Sequence, residues 1–245
     1  MTYCVGILLE QGLVLASDTR TNAGVDQVAI APKMHVFEQP GERVIVLLTA
    51  GNLAITQSVV NLLREQLNAP EQGAHLHNVQ SMFEAAGVVG AAMRSVHARD
   101  GEALKEHGID FSASVLVAGQ IQGEKPRLFN VYAAGNFIEA TADTPYLQIG
   151  ETKYGKPIID RVVKYQTEMM DAVKCVLISF DSTIRSNISV AMPIDLMLYR
   201  TNSLHGNCRQ RLTEQDPYYG SIRKGWGEGL KAVFSSLPNP DWSAS

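Results

Sequence analysis

The second residue of the chain is a threonine, Thr2, directly behind Met1. Initiator methionine is generally trimmed before so small a residue. Removal would leave a hydroxyl and a free α-amine on the same residue. A hydroxyl attacks poorly until a base takes its proton. An α-amine titrates near about 7.7–8.0, so much of it is neutral at working pH. A threonine with its own amine is thus a self-contained nucleophile and base. Met-Thr openings also arise by chance, so the dipeptide alone decides nothing. Three more features follow within the first 51 residues. Asp18 ends an apolar run with Ser17 and precedes Thr19-Arg20-Thr21. Lys33 sits in a short polar break between two apolar runs. Ala50-Gly51 closes the run Arg43–Thr49. Taken singly, Asp18 reads as a turn residue, Lys33 as a partly exposed surface charge and Gly51 as a helix breaker.

Other motifs carry less. Gly150, Gly155 and Lys156 approach a phosphate-binding loop, but Pro157 stands where that loop needs a magnesium-ligating hydroxyl. His75 and His77 read as solvent-exposed linker residues. The cysteines Cys4, Cys175 and Cys208 are scattered, with no CxxC spacing, so neither a disulfide framework nor a zinc site is expected. Cys4 reads as a small core residue beside Val5. Met82, Met93, Met169 and Met170 read as helix core. No metal or cofactor is expected.

The elements that must position these residues follow from hydrophobic period. Thr2–Leu9 and Leu13–Ser17 form a hairpin around Glu10-Gln11-Gly12. Residues 18–24 read as a polar turn. Val28–Ala31, Met34–Phe37 and Arg43–Thr49 are strands. Asn52 caps a helix with Ile55, Val59, Leu62, Leu63 and Leu67 on one face, and Asn78 caps a second. Strands resume at Ser114–Ala118, Leu128–Ala133, Phe137–Thr141 and Tyr146–Ile149. Helices follow at Lys153–Tyr165, where Pro157 is tolerable in the first turn, and at Thr167–Phe180. Ile188–Ala191 and Asp195–Tyr199 are the last strands. Strands, two helices, strands, two helices and strands fit an α+β fold, a four-layer αββα sandwich. Residues 1–200 make this domain. Residues 201–245 are a polar extension with Tyr218, Tyr219, Trp226, Phe234 and Trp242, aromatic anchors suited to a subunit interface.

Residues 2–51 closely resemble the β-subunits of the proteasome family. The shared constellation is an N-terminal threonine, a strand-end Asp in Ser17-Asp18-Thr19-Arg20-Thr21, Lys33 after the next turn, and Ala50-Gly51 before a helix. The opening TYCVGILLEQGLVLASDTRTNAGVDQ is most similar to the bacterial Anbu, or ancestral β-subunit, group, whose members lack a long propeptide. The resemblance implies an N-terminal-nucleophile hydrolase acting as a threonine peptidase. Thr2 would attack the scissile carbonyl, Lys33 would stabilise the alkoxide and Asp18 would hold Lys33. The Gly51 N–H would form the oxyanion hole. Backbone at Thr21, Asn22 and Leu53 would hold the substrate as an added strand. Asp181, with Ser182 or Ser186, would complete the site. Glu151 stands where the family carries a serine, and Asn187 where it carries a glycine. A weakly active scaffold subunit and an amidohydrolase for a small or non-ribosomal peptide amide are the alternatives.

The resemblance further implies a homo-oligomer, a ring or ring-like spiral, fed by peptide or unfolded protein, with or without an unfoldase. A net charge of −4 gives no footprint for nucleic acid or an anionic membrane. No apolar run reaches membrane-spanning length and no basic, apolar leader opens the chain, so a cytoplasmic protein is expected.

Overall fold

The apolar opening forms the strand pair that the rest of the molecule encloses. In a computed structural model describing residues 2–23, 27–68 and 73–242, β1 (Tyr3–Leu9) pairs with β2 (Gly12–Asp18), Cys4 opposite Ser17. Both strands are buried on both faces, which explains their nearly unbroken hydrophobicity. Tyr3, Val5, Ile7, Val14 and Ala16 meet one core cluster, while Cys4, Leu13 and Leu15 meet another. Each fully buried side chain of this size contributes about 1.5–3 kcal/mol.

Of residues 18–24, expected as a polar turn, Gly24 lies outside the described residues and Arg20–Ala23 instead form the first strand of a second small hairpin. It pairs β3 (Arg20–Ala23) with β4 (Gln27–Ile30). A two-stranded ribbon needs no apolar alternation, so its composition hid it. β5 (Met34–Gln39) and β6 (Arg43–Gly51) begin a second sheet, completed by β7 (Ala113–Ile121), β8 (Arg127–Val131) and β9 (Phe137–Glu139) in the order β5-β6-β7-β8-β9. The first sheet runs β10-β1-β2-β11-β12, with β10 (Tyr146–Gly150), β11 (Ile194–Arg200) and β12 (Arg209–Leu212).

Helices cover both outer faces. α1 (Leu53–Leu67) starts at Asn52, whose side chain accepts the Ala54 N–H. α2 (Met82–Glu106) is capped by Ser81 rather than Asn78. Asn78 instead takes the His75 N–H in the preceding loop. α1 and α2 pack on β6, β7 and β8 through Val59, Leu63, Met82, Val89 and Met93. α3 (Lys156–Val162) and α4 (Met169–Ser186) cover the first sheet through Ile159, Val173, Val176 and Phe180. Leu15, Val46, Leu48, Leu116 and Leu128 fill the space between the sheets. The layers are therefore α, β, β, α, as the element order requires.

The C-terminal segment departs most from expectation. Ile188–Ala191 is a turn, and α4 runs on to Ser186 instead of stopping at Phe180. The sheet does not end at Arg200, because β12 pairs with β11, Leu212 opposite Ile194. α5 (Pro217–Ser236) follows, capped by Asp216. Its Tyr219 is 1% exposed and joins the first-sheet core, while Phe234 is 78% exposed.

Candidate active site

The start of β1 brings Thr2 against the end of β10 and beside β2. Thr2 is 8% exposed. Its carbonyl accepts the Glu151 N–H at 2.7 Å. The next residue, Tyr3, donates its N–H to Asp18 Oδ1 at 3.0 Å. Asp18 therefore lies beside Thr2 at the start of β1 because β1 and β2 are partners. Gly150, with φ +82°, passes so close that a Cβ there would collide with the Thr2 carbonyl oxygen. Gly155 in turn packs closely on the Tyr3 hydroxyl. The two glycines of the phosphate-loop near-match are thus packing devices under β1.

Lys33 is buried rather than partly exposed, at 4% exposure. Its Nζ donates to Asp18 Oδ1 at 2.7 Å and to the Arg20 carbonyl at 2.6 Å. Its own carbonyl accepts the Thr49 N–H at 3.0 Å. β2 and β3 hold the ammonium, and β6 holds the backbone that carries it. Removing it would strand a buried carboxylate, a large stability cost. Burial pushes the Asp18 carboxyl up from its usual value, opposed by Lys33 and by the Tyr3 N–H. Asp18 Oδ2 is buried without a hydrogen-bond partner.

The other expected residues occupy stated places around this centre. Gly51 ends β6 with φ +110°, a conformation open to glycine, and a Cβ there would strike the Ser112 carbonyl. Leu53 opens α1 two residues on. Thr21 and Asn22 lie on β3. Asp181 is drawn elsewhere: its two oxygens accept Arg185 Nε at 2.9 Å and Arg223 Nε at 3.0 Å, tying α4 to α5. Ser182 is half-buried within α4 and Ser186 is exposed at its end. Among the described contacts neither serine bonds to Thr2, Asp18 or Lys33. What comes off the end of α4 toward Thr2 is Asn187, whose Nδ2 donates to Glu151 Oε2 at 2.7 Å. The family resemblance flagged Glu151 and Asn187 only as substitutions. Their pairing depends on where α4 ends, which helical period does not settle.

The remaining motif residues lie apart. Cys4 and Cys175 are buried free thiols, and burial pushes both up, away from a reactive thiolate. His75 is buried, not exposed, and its ring accepts the His77 N–H at 3.2 Å, bracing the loop before α2. Among the described residues no His, Cys, Asp and Glu cluster could hold a metal ion. Nor is any helix long and apolar enough to cross a membrane.

Comparisons with known proteins agree with this fold. The proteasome subunit family matches residues 2–196. Anbu (ancestral β-subunit) from Yersinia bercovieri is 53% identical, covers 98% of each chain and superposes with a TM-score of 0.91. Anbu from Pseudomonas aeruginosa, solved as a helical assembly, is 48% identical over 99% of this chain and 100% of its own, with a TM-score of 0.93. An Anbu (Gly-1) mutant from Hyphomicrobium sp. strain MC1 is 47% identical over 98% of this chain and 100% of its own, with a TM-score of 0.92. No curated protein matches the chain. On the matched span and these full-length identities, the chain belongs to the proteasome subunit family, in its Anbu group.

Proposed function

We propose that the chain is a threonine-type peptidase whose nucleophile is Thr2 after loss of Met1. The observation that carries this reading is the buried Lys33–Asp18 pair, fixed one residue from Thr2. A lysine and an aspartate held out of water with a polar atom left over are costly for a fold alone. Beside a hydroxyl nucleophile they have a use. Thr2 Oγ forms a bond to the scissile carbonyl carbon while its proton passes to the α-amine. Lys33 stabilises the developing oxygen charge and Asp18 keeps Lys33 aimed. The Gly51 N–H receives the carbonyl oxygen as it becomes an oxyanion. Collapse expels the leaving amine, which takes the proton, and leaves an ester on Thr2. Water then cleaves that ester. Substrate would lie extended against β3 and the start of α1, at Thr21, Asn22 and Leu53.

The chain would work as an open, spiral homo-oligomer in the cytoplasm, a reading supported by the helical assembly of the Pseudomonas aeruginosa relative. Intact-mass analysis after incubation with a peptide epoxyketone tests the peptidase. The expected product lacks Met1 and carries one adduct, which peptide mapping places on Thr2. Active protein that retains Met1 throughout refutes it.

A further inference from the structure

Glu151 is 7% exposed, and what surrounds its carboxylate falls short of a full counter-charge. Oε2 accepts from Asn187, a neutral amide that is itself 8% exposed. Oε1 lies 3.5 Å from Lys153, a mostly solvent-exposed ammonium that water screens. A carboxylate taken out of water needs a cation or several donors close by. One arises when Met1 is lost. Glu151 faces Thr2 across the β1–β10 ladder, one step beyond the Tyr3–Gly150 pair, and its N–H already holds the Thr2 carbonyl. The new α-amine belongs to the residue that Glu151 grips.

We propose that Glu151 is a positioning residue for the Thr2 α-amine. Its carboxylate receives the ammonium formed when the amine takes the Thr2 hydroxyl proton, and Asn187 keeps that carboxylate in place. The idea rests on Thr2 being the working N-terminus. Among the described residues, the charged ones on the elements that meet at Thr2 are Asp18 from β2, Arg20 from β3, Lys33 from the turn before β5, and Glu151 and Lys153 from the segment after β10. α4 adds only the uncharged Asn187, since Asp181 is committed to Arg185 and Arg223. Lys33 lowers the proton affinity of the amine and Glu151 raises it. The amine is thereby held as a stronger base than Lys33 alone would leave it.

The test uses full-length protein released from a cleavable N-terminal fusion, so that Thr2 is the first residue however cells process Met1. The rate of Thr2 amine acylation by acetic anhydride is followed from pH 5 to 10 and read by peptide mass. In E151Q the amine midpoint should fall by about one pH unit, a roughly tenfold faster acylation below both midpoints. K153M should leave the midpoint in place or move it slightly upward. An unchanged midpoint in folded E151Q overturns the proposal. So does a downward shift in K153M, which would mark general loosening instead. Should E151Q not fold, E151D keeps the charge but withdraws it, and a smaller downward shift is expected. The readout requires no peptidase turnover, so a failed peptidase reading would show separately in the epoxyketone experiment.

Discussion

Two buried aspartates, Asp18 and Asp181, show how differently one chain can use the same group. Asp181 is closed. Each oxygen meets an arginine, both arginines reach solvent, and the result staples α5 to α4. Asp18 is open. One oxygen serves both the Lys33 ammonium and the Tyr3 N–H, the other has no hydrogen-bond partner, and the lysine is buried with it. A closed carboxylate braces a seam, and the arginines that hold it keep most of their hydration. An open one, buried with its cation beside the start of β1, holds charge that the proposed reaction would draw on.

Lys33→Ala should break the open site most severely. Loss of the cation should reduce Thr2 reactivity toward the epoxyketone by about a hundredfold to a thousandfold. It should also cost about 3–5 kcal/mol in urea unfolding, because Asp18 remains buried and unpaired. The pH dependence has a definite sign. Burial raises the Asp18 carboxyl above its unfolded value of 3.8 even with Lys33 present, and the variant removes the opposing charge. A raised acid favours the folded state only while it is protonated. The deficit of the variant should therefore be smallest below pH 3.8 and grow as pH rises through the folded value. A pH-independent deficit would mean that Asp18 is hydrated when its partner leaves.

Gly51→Ala should follow, reducing Thr2 reactivity by about tenfold or more with Lys33 and Asp18 intact. The added methyl meets the Ser112 carbonyl and turns the local N–H away. Wild-type reactivity in this variant would remove Gly51 from the oxyanion hole. At the other end of the molecule, α5 and its C-cap expose Leu230, Val233, Phe234 and Leu237 at helical spacing. Phe234→Glu with Leu230→Lys should give a folded but smaller species by light scattering at micromolar concentration. An unchanged assembly would place the interface elsewhere. Smallest is Asp181→Ala. It should lower stability by about 1 kcal/mol, because both arginines are substantially exposed, and leave Thr2 reactivity within about twofold. A large loss of reactivity there would erase the contrast between the two aspartates.

The site was most legible where residue type and strand register coincide. Thr2, Asp18 and Lys33 fall at strand ends whose apolar runs are unmistakable, and β1–β2 pairing alone brings Asp18 to the base of Thr2. Legibility failed where polar chain does structural work. β12 reads Arg-Gln-Arg-Leu, with only Leu212 buried, so an edge strand offers no alternation to detect. α5 contains Gly220, Gly225, Gly227 and Gly229, each costing about 1 kcal/mol against alanine in a helix, which hid a helix held by tertiary contacts at Tyr219 and Arg223. Asp181 lies apart from Thr2, Asp18 and Lys33 for a related reason. The six further residues of α4 carry the chain past Ser182 and Ser186 and hand Asn187 to Glu151.

The position of β1 has one more consequence. Chain ends usually fray, and the first few amides of a domain exchange with solvent almost freely. Here the first strand is central, flanked by β10 and β2 and roofed on both faces. The amides of Cys4 and Val5 should exchange with deuterium as slowly as those of β6, through whole-molecule opening only. The nucleophile would then ride on one of the least mobile segments of the protein, and losing its alignment would require unfolding the sheet.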